Sequence, residues 1–215
     1  MLTSYSYNQT KRFLFVVVVF FSACREGYTP PWDTFNSSVN ECNNMLNYTE
    51  DFQDETWFRD EAQVVNNITE DPFDKPTADL LDISDNPKES RIYQFLDSIP
   101  EGEYIFSLFL KAPPGTEGKY AIGMEFNGDK RLWNKSIVSL NDSSWTRASV
   151  RLKTEGTGRL TVFPAYALIK GSTMDKVYAW GAQLEQVNSD KSADLYCGRN
   201  TFKGGSSNAY FFIQE

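Results

Sequence analysis

Alternation with a period of two runs through the middle of this chain and restricts it to strands. Between Lys119 and Asn127, the residues Tyr120, Ile122, Met124 and Phe126 alternate with Lys119, Ala121, Gly123, Glu125 and Asn127. Ala148, Val150 and Leu152 alternate in the same way with Arg147, Ser149, Arg151 and Lys153. A strand sends successive side chains to opposite faces, so one row goes to a core and the other to solvent. Residues 103–112 are apolar on both rows, with Tyr104, Phe106, Leu108 and Leu110 against Ile105 and Phe109. That double row predicts a central strand. Further strands are predicted over 63–69, 78–83, 91–97, 131–139, 159–169 and 176–186. Pro113-Pro114-Gly115 and Asn127-Gly128-Asp129 supply turn chemistry between them. Roughly nine short strands with no helical period predict an all-β fold over 45–187, an antiparallel two-sheet sandwich of jelly-roll type.

The flanking segments have a different composition. Lys11-Arg12, the apolar run Phe13–Phe21 and Ser22-Ala23-Cys24 have the order of a signal peptide over residues 1–23. The run is too short to span a bilayer. Phe21-Ser-Ala-Cys24 resembles the lipobox of bacterial lipoproteins, which implies lipid attachment at Cys24, export, and anchoring at the bacterial surface. The competing reading makes this Val/Phe-rich run a buried amino-terminal strand of a virion protein that is never cleaved. Residues 24–44 read as a tether and 188–215 as a carboxy-terminal extension. That extension ends in Tyr210–Ile213, which could add a strand or make a homo-oligomeric contact. With Cys24 lipidated, Cys42 and Cys197 remain as an even pair, either a disulfide or two separate thiols.

Composition narrows the function. The chain has no histidine, which removes the commonest general base and metal ligand. Its net charge of −8 argues against nucleic acid as a partner. Any membrane contact is expected only through the lipid anchor. Glu101 and Glu103 sit in no catalytic motif, and the chain reads as non-enzymatic. The acids Asp51, Asp54, Asp71, Asp74, Asp82 and Asp85 are oxygen-rich enough to suggest a structural calcium, although no EF-hand spacing is present. Asn36, Asn47, Asn67, Asn134 and Asn141 head glycosylation triplets, read as coincidence behind a bacterial lipobox.

Five segments in order carry a resemblance. Leu46-Asn-Tyr-Thr-Glu-Asp-Phe52 with Trp57, Thr77-Ala-Asp-Leu80, Tyr104–Ala112, Trp145-Thr-Arg147 and Trp180-Gly-Ala-Gln-Leu-Glu185 resemble a domain recurrent in phage tail-fibre and head-fibre proteins. The resemblance covers about residues 45–187 and implies a jelly roll like those of carbohydrate-binding modules. Such domains occur in bacteriophage virion fibres and in bacterial or prophage surface proteins. Cell-surface glycan or other virion proteins are then the expected partners. A fibre or decoration protein that assembles without sugar is the alternative role.

The tryptophans sort by context. Trp180, Ala182 and Leu184 are expected on one strand face in the core, with Gln183 and Glu185 opposite on a solvated row. Trp57 and Trp145 are read as core too. Trp133 lies in the polar stretch Lys130–Lys135 and is the candidate for stacking on a sugar, with Arg131, Glu125 and Asn127 to bond hydroxyls. Tyr93 and Gln94 are second candidates. The structural alternative has Trp133 packing against a sheet edge.

Overall fold

The computed structural model describes residues 44–187. Segment 1–23 with Phe13–Phe21, Cys24, Cys42, the tether up to residue 43, Cys197 and the extension with Tyr210–Ile213 lie outside the described residues.

Ten strands form two five-stranded antiparallel sheets, and no helix occurs among the described residues. They are β1 Phe58–Asp60, β2 Gln63–Thr69, β3 Ala78–Asp82, β4 Arg91–Ile99, β5 Gly102–Lys111, β6 Gly118–Asn127, β7 Arg131–Leu140, β8 Thr146–Thr154, β9 Gly158–Tyr166 and β10 Lys176–Gln186. The first sheet has the order β1-β4-β9-β6-β7, and the second β2-β3-β10-β5-β8. The antiparallel sandwich expected from alternation is therefore present. Two differences stand out. The three-residue edge strand β1 is too short to give a period. Residues 167–171 turn away after β9 instead of extending it.

The core lies between the sheets. Tyr104, Phe106, Leu108 and Leu110 of β5 meet Tyr120, Ile122, Met124 and Phe126 of β6, all buried. Each such side chain contributes about 1.5–3 kcal/mol through removal from water. Trp57 joins this core as expected, and its Nε1–H donates to the Tyr48 carbonyl at 3.0 Å.

Trp180 does not. On β10 the partner of Trp180 is Phe109, and the partner of Gln183 is Ser107. Three steps on β10 thus match two on β5, which defines a bulge, and Gly181 takes φ 65° within it. The left-handed conformation suits glycine, and the extra residue resets the alternation. Ala182 and Leu184 face the core, whereas Trp180 turns to the outer face with Gln183. There Trp180 packs with Ala78, Phe73, Phe109 and the half-buried Trp145 in a separate small cluster. Gln183 is also buried rather than solvated, and its Oε1 accepts from Arg147 at 3.3 Å.

The expected calcium acids do not converge. Among the described residues no group of three or more acidic or sulfur ligands gathers. Asp71 instead accepts bonds from Phe73 N, Lys75 N and the Thr77 hydroxyl. Asp82 pairs with Lys176 at 2.8 Å, and Asp85 accepts from Gln63. Asp51 and Asp54 cap local turns through Gln53 N and Thr56 N. Glu103 lies 3.8 Å from Arg151 on the neighbouring strand.

Candidate functional site

The outer face of the first sheet carries a continuous row of aromatic side chains. Strand alternation places Phe58 of β1, Tyr93 and Phe95 of β4, Phe163 of β9 and Trp133 of β7 on that face, and a register shift in β9 between Val162 and Ala165 brings Tyr166 to it as well. Phe58 stacks between Tyr93 and Phe95, with ring centroids 5.3 and 5.2 Å away. Tyr93 reaches Phe163 at 6.0 Å. Phe163 stacks on Tyr166 at 5.1 Å, and Trp133 lies 5.3 Å from Phe163 and 6.1 Å from Tyr166. Phe163 is buried beneath its neighbours, whereas Trp133 and Phe58 stay 40% and 42% exposed. Large apolar rings left that open at the two ends of a row form a surface able to take a flat ligand.

Strand β6 runs under Trp133 and explains its position. A Cβ at Gly123 would lie 2.8 Å from Trp133 Cη2 and 3.0 Å from Ile169 Cδ1. The indole edge therefore occupies the space that any other residue at 123 would fill. A glycine inside a strand marks this kind of close approach.

Next to Trp133 the polar groups form a fixed network. Arg131 Nε lies 2.8 Å from Glu125 Oε1 and its Nη2 donates to Oε2 at 2.9 Å, a two-pronged pair. Asn127 Nδ2 donates to Glu125 Oε1 at 2.8 Å. Hydrogen bonding to Glu125 holds the Arg131 guanidinium above its ordinary pKa. Register opposes Glu125 to Trp133 and Asn127 to Arg131, so two adjacent strands bring all four together. The turn Gly128-Asp129 between β6 and β7 fixes that register.

Behind this network lies a cleft of about 380 Å³, within the ~300–1,000 Å³ range of ligand pockets. Trp133, Tyr166, Leu168 and Ile169 form its apolar walls, and Lys135 and Lys170 join Arg131 at its rim.

Of the six residues singled out in the sequence, five share this face. Trp133, Arg131, Glu125 and Asn127 form one corner, and Tyr93 belongs to the aromatic row. Gln94 does not belong. It faces inward and is buried, its Oε1 accepting from Asn47 N at 3.0 Å and its amide donating to Thr56 Oγ1 at 3.1 Å. Its place one residue after Tyr93 puts it on the opposite side of the strand. Trp133 itself stands on β7, an edge strand of the first sheet. The ring packs inward across the sheet and still keeps an open surface. Phe58, Phe95, Phe163, Tyr166, Lys135 and Lys170 were not singled out from the sequence. The row Arg91, Tyr93, Phe95 in β4 was the available signal.

Charged pairs edge the remainder of the row. Arg91 lies 5.1 Å from the Tyr93 ring centroid and pairs with Asp60 at 2.6 Å. Arg159 lies 4.2 Å from the Phe95 centroid and pairs with Asp97 at 2.7 Å.

No family model matches the chain. Curated proteins give no match either. Among solved structures, the chain is similar to the CBM22-1 xylan-binding domain of Paenibacillus barcinonensis Xyn10C. That likeness has a TM-score of 0.48 at 12% identity and covers 64% of this chain and 92% of that one. It is also similar to a module solved as TmCBM61 in complex with β-1,4-galactotriose (TM-score 0.41, 14% identity, 67% and 99% covered). A third similar structure is the enzymatically active domain of tailspike protein 4 of bacteriophage CBA120. There the TM-score is 0.47 at 11% identity, and the match covers 68% of this chain and 22% of that one. Carbohydrate-binding modules and a phage tailspike domain are thus among the structures with a similar fold. A fold serves many functions, so the site must supply the functional argument.

Proposed function

We propose that this domain is a non-enzymatic attachment module that binds glycan on the outer face of its first sheet. What supports this is the pairing of a half-exposed Trp133 with the pre-formed Arg131–Glu125–Asn127 network. A sugar ring presents C–H groups to an aromatic face and hydroxyls around its edge. Trp133, with Tyr166 and Phe163 behind it, offers the first kind of contact. The fixed fork of Arg131 and the amide of Asn127 offer the second, at low ordering cost because Glu125 already holds both. Glu125 is largely occupied by those two partners, which suits it to orienting them rather than to proton transfer.

The test is glycan-array binding of the intact protein against Trp133→Ala and Arg131→Ala. Both variants alter exposed side chains, so unchanged circular dichroism and loss of the array signal are expected. An array signal indifferent to both would overturn this reading. If no sugar binds but a fibre or capsid protein does, the assembly role takes its place.

We further place the module at a bacterial surface through lipid on Cys24, on the strength of the Phe21-Ser-Ala-Cys24 sequence. An intact mass beginning at an acylated Cys24 is expected. A mass beginning at Met1 would move the protein to the virion.

A further inference from the structure

We infer that the saccharide taken by this face is anionic, with its carboxylate or sulfate groups held in the cleft beside Trp133; the inference rests on the glycan-binding reading above. The chain carries a net charge of −8, so an arbitrary patch of its surface is expected to be acidic. The cleft reverses that sign. Arg131, Lys135 and Lys170 line it against a single carboxylate, Glu125.

How these charges are partnered separates the cleft from the rest of the face. Arg91 is matched by Asp60 and Arg159 by Asp97, so the aromatic row is neutral along its other edges. Glu125 answers Arg131 alone. Neither Lys135 nor Lys170 forms an ion pair among the described residues. Lys135 Nζ instead donates to the backbone carbonyl of Lys170, which pins the ammonium at the rim. An ammonium has three donors, so two stay available to an incoming oxyanion. Leu168, Ile169 and Trp133 supply low-dielectric walls that strengthen attraction to such a group. A neutral sugar would leave two lysines unanswered, whereas an acidic one completes the set.

Affinity electrophoresis of the full chain tests this, through gels containing polygalacturonate, dextran sulfate or neutral dextran. Retention by one or both polyanions and not by dextran is expected, weakening as salt rises from about 50 to about 500 mM. Polygalacturonate carries only carboxylates and dextran sulfate only sulfates, so the gel that retains the protein identifies the group. A Lys135→Gln, Lys170→Gln double variant should lose retention at least about fivefold, because both lysines are exposed and their removal spares the core. Failure of both polyanions, or retention unchanged in the double variant, overturns the inference. If those failures come with Trp133-dependent binding of neutral sugars on the array, the glycan-binding reading survives without it. Retention that needs the lysines but ignores Trp133→Ala would overturn both.

Discussion

The two sheets carry aromatic clusters on their outer faces, and the two clusters have opposite fates. On the second sheet Trp180 and Phe109 lie 6.1 Å apart and are roofed by the 71–77 loop, whose Phe73 meets them at 5.1 and 6.5 Å. Asp71 holds that roof, and Trp180 Nε1–H donates to Thr77 Oγ at 3.0 Å, tying the loop to the ring beneath. On the first sheet the row of six rings leaves Phe58 and Trp133 42% and 40% exposed at its ends. Both outer faces are aromatic, and what distinguishes them is whether the chain closes over the rings.

The largest effect should come from breaking the covered cluster. Trp180→Ala removes a 3% exposed indole and is expected to cost about 3–5 kcal/mol, read by denaturant unfolding. Trp133→Ala should cost about 1 kcal/mol or less in the same experiment while abolishing sugar binding. Equal losses of stability would erase the distinction between the faces.

Acidity sharpens the contrast next, because the second sheet holds a buried carboxyl at Asp79. Burial pushes it up to about 6, against the backbone N–H groups of Asn67 and Phe52 that favour its charged form, and Asp51 raises it further. The folded protein keeps this proton to about pH 6, whereas the unfolded chain releases it near 4. Folding therefore takes up a proton between those values, and stability falls as pH rises through that window. Asp79→Asn should flatten this slope in urea titrations at successive pH values. An unchanged slope would assign it to another group.

Removing the roof is a smaller perturbation. Asp71→Ala orphans the N–H groups of Phe73 and Lys75 and should cost about 1–3 kcal/mol. It should also raise the quenching of Trp180 by acrylamide. Quenching equal to wild type would show the loop held by other contacts.

Gly123→Ala has the smallest expected effect on stability, within about 1 kcal/mol, since the strand accepts alanine. Its methyl group lifts the Trp133 ring, so sugar affinity should fall several-fold and the indole emission should shift. Unaltered affinity would mean that the ring need not lie flat.

Much of this was legible in the sequence, and the exceptions share causes. Where one strand face meets the core and the other meets water, as in 147–153, alternation reports the fold directly; in 119–127 the second row, Ala121, Gly123 and Glu125, is buried as well. In β4 and β9 the outer row is itself aromatic, so both rows are apolar and the platform reads as more core. Phe95 and Phe163 were lost in that way, and Tyr166 was lost because the register shift between Val162 and Ala165 breaks the count by twos. The orientation of Trp180 depends on the bulge at Gly181, and counting by twos carried straight across it. Trp133, Arg131, Glu125 and Asn127 could be found because a polar hairpin brings them together over a few residues. Gln94 lies one residue from Tyr93, and with period two that is enough to put it on the opposite side of the strand.

The inward position of Gln94 has a mechanical meaning. Asn44, the first described residue, donates to the Ala182 carbonyl and accepts from Leu184 N, which clamps the incoming chain to the last strand. A few residues on, Gln94 grips Asn47 from β4, a strand of the first sheet. A pull on the first sheet against the upstream chain would therefore load β4, Gln94 and the clamp at Asn44. The hydrogen bonds of Asn44, Asn47 and Gln94 would share that load.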